Sequence, residues 1–147
     1  MSAKLNLNDI KSIIDSNGTI NTGLILGSGL SKALPMKIFK EFNYKEIEGF
    51  NIPLVTGHTG KLKIGSVAGK SIAVLSGRTH YYENGKADTM RNPISLLKKL
   101  GIKNLIITNA AGSLRPNIPT GSIMIINDHI NFSGVNPLIG EKSDERF

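Results

Sequence analysis

Residues 88–109, DTMRNPISLLKKLGIKNLIITN, place a helix pattern directly before a strand pattern. The apolar residues that recur at helical spacing are Met90, Ile94, Leu97 and Leu100. Asp88 is a candidate N-cap and Gly101 a candidate stop. Pro93 lies inside the pattern, so the helix should either kink there or start later. The run NLIITN that follows is predicted to be a buried strand, and a helix feeding such a strand indicates an α/β domain.

The flanking sequence supplies the other elements of such a domain. KLKIGSV and SIAVLSG surround the turn AGK and predict an antiparallel hairpin, with Ala73, Val74 and Leu75 near the core. TGLIL and SIMIIND (122–128) are predicted to be further buried strands, and LNLNDIKSIID reads as an amphipathic helix that starts at an asparagine cap. We therefore predict one α/β domain over residues 1–147, a mixed β-sheet flanked by helices, which looks truncated at its C-terminus.

Composition and charge argue against several classes of protein, namely disulfide-stabilised, nucleic-acid-binding and membrane proteins. The 147 residues include no cysteine, so the chain has neither a disulfide framework nor a thiolate metal site, as is typical of cytoplasmic proteins. Its net charge is +7, but most lysines are scattered, and the densest group, Lys98, Lys99 and Lys103, lies where a helix would end, a favourable place for cations beside the helix dipole. No apolar run is long enough to cross a bilayer. We expect a cytoplasmic protein that binds neither nucleic acid nor membrane.

Three times an apolar strand runs into a loop of small or polar residues: GSGLS (27–31), RTHYYENG (78–85) and NAAGSL (109–114). Ligands of open α/β sheets collect beyond the carboxyl ends of strands, so these loops are expected to converge on one site. The glycines of GSGLS let backbone N–H groups approach an anion, and Ser28 adds a hydroxyl, although such a stretch also suits an ordinary turn.

RTHYYENG sets Arg78, His80 and Tyr82 at alternate positions, which share a face if the backbone stays extended. Arginine grips a phosphate with parallel N–H bonds, a neighbouring histidine donates another, and a tyrosine ring suits a sugar. Glu83 is placed to hold the His80 ring. The alternative is a solvated hairpin end with aromatic cover.

NAAGSL offers almost no side chain at Ala110, Ala111 and Gly112, which suits a planar ligand but equally suits close helix-to-strand packing. The two other histidines, His58 and His129, have no partner at metal-ligand spacing. We therefore expect no metal and no cofactor, and a structural hydrogen-bonding role for His129.

Taken in order, LILGSGLS, GHTGKL, SGRTHYYENG, ITNAAGSL, GSIMIINDHINFSGVNPL and DERF resemble the purine nucleoside phosphorylases of the trimeric type. The resemblance runs from about residue 23 to residue 147. It implies reversible phosphorolysis of purine (2'-deoxy)ribonucleosides to the free base and (deoxy)ribose 1-phosphate, with inorganic phosphate as cosubstrate, in a homotrimer that serves purine salvage.

The resemblance also implies roles for individual residues. The implied phosphate ligands are Ser28, Arg78, His80 and the N–H of Ala110. Tyr82 matches the ribose contact, His58 a loop histidine near the phosphate, and Glu83 the acid that supports His80. Segment 109–112, which is Asn109, Ala110, Ala111 and Gly112, matches the stretch that lies against the purine. His80, Arg78 and His58 are the implied catalytic residues.

The sequence differs from the family pattern at two single residues and in its length. Asn84 stands before Gly85 where the family has glycine directly after the glutamate, and Ser31 stands where glycine is common. Family members continue beyond residue 147, and that portion holds the base-recognising residues. The alternatives are therefore a non-catalytic fragment that needs a partner chain, or a hydrolytic nucleosidase, with a nucleic-acid module as a more distant reading.

Overall fold

The computed structural model describes residues 4–15, 19–27, 29–30, 33–54 and 59–142. Its strands are β1 (Thr22–Leu26), β2 (Lys37–Asn43), β3 (Lys61–Val67), β4 (Lys70–Ser76) and β5 (Asn104–Ile107). Its helices are α1 (Leu7–Asp15), α2 (Tyr81–Asn84) and α3 (Arg91–Lys99), with a 3₁₀ turn at Tyr44–Glu46. No helix among these residues is long and apolar enough to span a membrane.

The five strands form one mixed sheet in the order β2, β3, β4, β1, β5. β1 runs parallel to both β4 and β5, whereas β3 is antiparallel to β2 and β4. The carboxyl ends of β1, β4 and β5 therefore lie at the same edge of the sheet, where α/β proteins bind ligands. The predicted α/β class with a mixed sheet is confirmed.

The hairpin of β3 and β4 forms as predicted. Its turn places Ala68 at φ 49° and Gly69 at φ 77°, the two positive values of a tight two-residue turn that matches strand twist. The register pairs Val67 with Lys70 and Lys61 with Ser76 along the whole hairpin. Ala73, Val74 and Leu75 are buried, so the predicted core position of β4 is confirmed.

Both faces of the sheet carry apolar side chains. On one face α1 and α3 pack Ile10, Ile14, Leu96 and Leu97 against β1, β3 and β4. On the other face a smaller cluster joins Leu26, Ile72 and Val74 to residues of the 34–36 segment. The alternation of neighbours between the two faces follows from the two-residue period of a strand.

α1 begins as its asparagine predicted, since the Asn6 side chain accepts the N–H groups of Asn8 and Asp9 at 2.8 and 3.1 Å. Of the two predicted alternatives, a kink or a later start, α3 shows the later start and places Pro93 in its first turn, where a missing N–H costs nothing. The proposed cap at Asp88 is wrong, because Met90 occupies the N-cap position. Gly101 ends the helix at φ 83°, as predicted.

Two predicted buried strands differ from expectation. β5 forms but is exposed along its length, because among the described strands it pairs with β1 alone and so lies at an edge of the sheet. Segment 122–128 is not a strand, and Ile123 and Ile125 are 94% and 90% exposed. A strand needs a neighbour for its backbone N–H and C=O groups, and within the described chain this segment has none.

Candidate active site

The loops after β1, β4 and β5 meet around Thr108. The Gly27 N–H donates to Thr108 Oγ1 at 3.0 Å, and Arg78 Nη1 donates to the Thr108 carbonyl oxygen at 2.6 Å. Thr108 itself leads directly into the third loop. The convergence that the sequence predicted is thus confirmed for these three loops, and it places the Arg78 guanidinium at the carboxyl edge of the sheet.

Gly27 has no room for a side chain at this junction. A Cβ atom there would lie 2.8 Å from the Thr108 carbonyl oxygen and 3.1 Å from Asn109 Cα, and neither backbone atom yields easily. The first glycine of GSGLS is therefore required for close approach of two loops. Its φ lies outside the left-handed region, so backbone conformation is not the reason.

The predicted extended backbone of residues 78–82 is wrong beyond His80. His80 is extended at φ −102° and ψ 156°, but Tyr81–Asn84 then forms the helical turn α2, closed by the Gly85 N–H on the Tyr81 carbonyl at 2.7 Å. His80 and Tyr82 nevertheless meet, because their rings stack with centroids 4.9 Å apart and planes 13° from parallel. Tyr82 remains 73% exposed.

The helical turn also clarifies the departure at Asn84. Gly85 takes the left-handed conformation at φ 68°, whereas Asn84 is the last residue of α2. Asn84 therefore needs no left-handed conformation, and the glycine one position later supplies the C-cap.

Glu83 gathers three donors at its side chain, which is only 4% exposed. Its Oε1 accepts the His80 N–H at 2.6 Å and lies 2.9 Å from His80 Nδ1, and its Oε2 accepts the Leu54 N–H at 2.7 Å. Burial raises the pKa of Glu83, but the hydrogen bonds from Leu54 and His80 outweigh it and lower the pKa below the ordinary 4.5. The bond expected between Glu83 and the His80 ring is present.

We expect Glu83→Gln to be less stable than the wild type at neutral pH and to lose less stability on acidification. The lowered pKa means that ionised Glu83 stabilises the folded state above about pH 4.5, and this contribution is lost as pH falls through the folded pKa. The amide has one acceptor oxygen and places an NH₂ group against backbone donors. Urea unfolding between pH 3.5 and 7 measures both effects. The exposed Glu48→Gln is the control, and equal pH slopes for wild type and Glu83→Gln would contradict the assignment.

Tyr44 fixes the residue before Arg78. Its buried hydroxyl donates to the Gly77 carbonyl at 2.8 Å, and its ring packs edge-on against Phe50 with centroids 5.1 Å apart. Burial raises the pKa of Tyr44 well above its usual value, so the hydroxyl stays a donor. The start of the 78–85 loop is thus anchored from the sheet core.

Tyr44→Phe should destabilise the protein by about 1–2 kcal/mol, because the buried Gly77 carbonyl loses its donor while the ring packing is kept. The change in free energy of unfolding in urea is the measurement. Tyr81→Phe removes a hydroxyl from a ring that is half exposed and should change stability by less than about 0.5 kcal/mol. Equal losses in the two variants would show that the Tyr44 hydroxyl has no special role.

The remaining predicted site residues stand as follows. Asn109, Ala110, Ala111 and Gly112 form an exposed strip after β5, and a Cβ at Gly112 would meet no atom within 4 Å. The strip is thus open to a planar ligand, and no helix of the described residues packs on it. Ser28 and His58 lie outside the described residues, as does Ser31. His129 is exposed, and its N–H donates to the Asp128 side chain at 2.7 Å.

Sequence reasoning missed Thr108, Tyr44 and Leu54, each of which holds a site loop in place. In the sequence Thr108 only ends a predicted strand, although a threonine between an apolar run and a small-residue loop is a signal for a side-chain bond to backbone. Tyr44 and Leu54 carry no local signal, because their partners lie 33 and 29 residues away in the chain.

The chain is similar in sequence to known proteins. The family model described as "Phosphorylase superfamily" matches residues 21–147. The chain belongs to the phosphorylase superfamily. Purine nucleoside phosphorylase 1 of Bacillus subtilis is 42% identical over 123 residues, which cover 80% of this chain and 44% of that protein. The purine nucleoside phosphorylase of Mus musculus is 41% identical over 128 residues, covering 84% and 44%.

Solved structures of phosphorylase superfamily members show the same fold. Isoform 2 of Schistosoma mansoni purine nucleoside phosphorylase, in complex with cytosine and ribose-1-phosphate, matches with a TM-score of 0.60 and 34% identity over 77% of this chain and 41% of that one. The chain spans less than half the length of the curated relatives it matches. The resemblance to purine nucleoside phosphorylases drawn from the motifs is confirmed.

Proposed function

We propose that this chain carries the phosphate and ribose half-site of an enzyme that catalyses reversible phosphorolysis of purine (2'-deoxy)ribonucleosides. The observation that carries the proposal is the convergence of the loops after β1, β4 and β5 on Thr108, with the Arg78 guanidinium bonded at their junction. The similarity to purine nucleoside phosphorylases supports it. The products are the free purine base and (deoxy)ribose 1-phosphate.

Phosphate is the ligand that the charged groups of the site suit best. Arg78 presents several N–H donors in a plane, and its bond to the Thr108 carbonyl fixes that plane. The Glu83 carboxylate orients the His80 ring through Nδ1, so the opposite ring nitrogen is directed away from Glu83. We assign Arg78, His80, Ser28 and the Ala110 N–H to the phosphate, and His58 to the same anion.

The reaction follows from the placement of this anion. As the glycosidic bond lengthens, positive charge develops on the sugar, and a phosphate held beneath the anomeric carbon stabilises that charge and then bonds to the carbon. The bond electrons leave with the purine, which is protonated as it departs. Tyr82, stacked on His80, contacts the ribose, and the open strip of Ala110, Ala111 and Gly112 contacts the base, with Asn109 in support.

We further propose the setting of the enzyme. A chain with the full length of its relatives forms a homotrimer, acts in purine salvage in the cytoplasm, and needs no metal or other cofactor. The 147-residue chain alone binds phosphate weakly and does not turn over nucleoside, because the groups that activate the leaving base lie in the portion of the relatives that it does not match.

Phosphate-dependent thermal stabilisation tests the half-site. With a dissociation constant on the order of 5 mM, 50 mM phosphate should stabilise the fold by about 1.4 kcal/mol, a rise in melting temperature of roughly 4 °C. Chloride at equal ionic strength is the control, because a chain of net charge +7 responds to salt in general. Equal shifts in phosphate and chloride would overturn the proposal.

Assays of base release separate the two alternatives that remain. A hydrolytic nucleosidase would release base from inosine or adenosine without phosphate, whereas a phosphorylase half-site releases none alone in either condition. A non-catalytic fragment without a formed site would show no phosphate-specific stabilisation. Adding the part of the Bacillus subtilis relative that this chain does not match should produce base release that depends on phosphate.

A further inference from the structure

We propose that Thr108 is the positioning residue that sets the distance between the phosphate-binding loops, a role that rests on the proposed function and extends it. Thr108 does not touch the reacting atoms in this assignment. It acts through Gly27, the first residue of the loop GSGLS, and through Arg78.

Thr108 engages its neighbours with three separate groups. Its hydroxyl accepts the Gly27 N–H at 3.0 Å and lies 3.4 Å from the Ile25 carbonyl oxygen, to which it donates. Its own N–H donates to the same carbonyl at 3.0 Å, and its carbonyl accepts Arg78 Nη1 at 2.6 Å. One residue thereby joins β1, the loop after β1 and the loop after β4.

The hydroxyl bonds depend on the threonine side chain, whereas any residue but proline at this position could make the bonds of the backbone N–H and carbonyl. A β-branched side chain has few χ1 rotamers, so Oγ1 is held between the Gly27 donor and the Ile25 acceptor at little entropic cost. At Gly27 the loop after β1 lies so close to the Thr108 backbone that a Cβ atom would not fit between them. Loss of the hydroxyl would leave the Gly27 N–H without this acceptor and let the loop move away from Arg78.

Two substitutions at Thr108 separate the hydroxyl from the shape of the side chain. Thr108→Val keeps the shape and removes the hydroxyl, and we expect its dissociation constant for inorganic phosphate to rise about tenfold. Thr108→Ser keeps the hydroxyl and should stay within about threefold of the wild type. Thr22→Val, at the opposite end of β1, is the control for a threonine lost from the sheet and should leave phosphate binding unchanged.

A second measurement keeps the test decisive if phosphate binding is absent. NMR hydrogen exchange of the Gly27 amide should be faster in Thr108→Val than in the wild type or Thr108→Ser. Unchanged exchange in Thr108→Val overturns the inference, as does faster exchange with unaltered phosphate affinity, which would make the hydroxyl merely structural. A wild type that binds no phosphate would instead overturn the proposed function, and the exchange rates would still decide whether Thr108 holds the loop.

Discussion

Arg78→Ala is expected to abolish the stabilisation of this protein by phosphate. Charge-assisted hydrogen bonds from a guanidinium contribute about 1.5–3 kcal/mol each, so losing them should weaken phosphate binding by roughly 100-fold. At 50 mM phosphate the rise in melting temperature would then fall below detection. Differential scanning fluorimetry with and without phosphate measures the effect directly.

The control for this prediction matches both the residue type and the charge. Arg91 is 42% exposed and pairs with Glu141 at 3.0 Å on the surface, a contact that contributes less than about 1 kcal/mol. Arg91→Ala therefore removes one positive charge while the phosphate response stays intact. If Arg78→Ala and Arg91→Ala respond alike to phosphate, the anion is not bound by Arg78.

Gly65→Ala is expected to cause the largest loss of stability. Gly65 lies in β3 between Ile38 of β2 and Ile72 of β4, and a Cβ atom there would overlap the Lys37 carbonyl oxygen. It would also lie 2.7 Å from Met36 Cε and 3.0 Å from Ile38 Cα. Since two of these atoms belong to the backbone, β2 must shift as a whole, at a cost of about 3 kcal/mol or more.

The midpoint of urea unfolding measures this loss. Gly112→Ala is the control for stability, because its added Cβ meets no atom within 4 Å and its φ is not positive. Gly112→Ala should stay within about 0.5 kcal/mol of the wild type. A Gly65→Ala variant of wild-type stability would show that β2 does not pack on β3 in the register described.

Several elements could be predicted because their causes lie within a few residues. The AGK turn forces its two strands into a hairpin, and the asparagine before α1 supplies its own cap. The helical spacing correctly placed Leu97 and Leu100 in the core, but it was wrong for Ile94, which is 39% exposed, and it missed the buried Leu96. β2 was not predicted, because its sequence KIFKEFN pairs apolar with apolar and charged with charged residues and so lacks the two-residue alternation of a strand.

The site was predicted as a set of loops but not as a geometry. Strand-to-loop transitions at GSGLS, RTHYYENG and NAAGSL identified loops that converge, since small and polar residues after apolar runs mark the carboxyl ends of strands. The alternation of Arg78, His80 and Tyr82 suggested a continued strand and was misleading. The Glu83 carboxylate accepts a hydrogen bond from the His80 N–H, and this local bond favours a helical turn over a continued strand.

Local chemistry along the chain thus specifies the strands, the hairpin, the helix ends and the residue types of the site, because turns, caps and hydrophobic periods involve neighbours in sequence. The remaining features depend on contacts between residues that are distant in the chain. These features are the edge position of β5 and the junction at which Thr108 meets Gly27 and Arg78. The exposure of residues 122–128 likewise reflects the lack of a partner strand among the described residues. Those features depend on which strands pair, and a strand's own residues encode its pattern but not its neighbour.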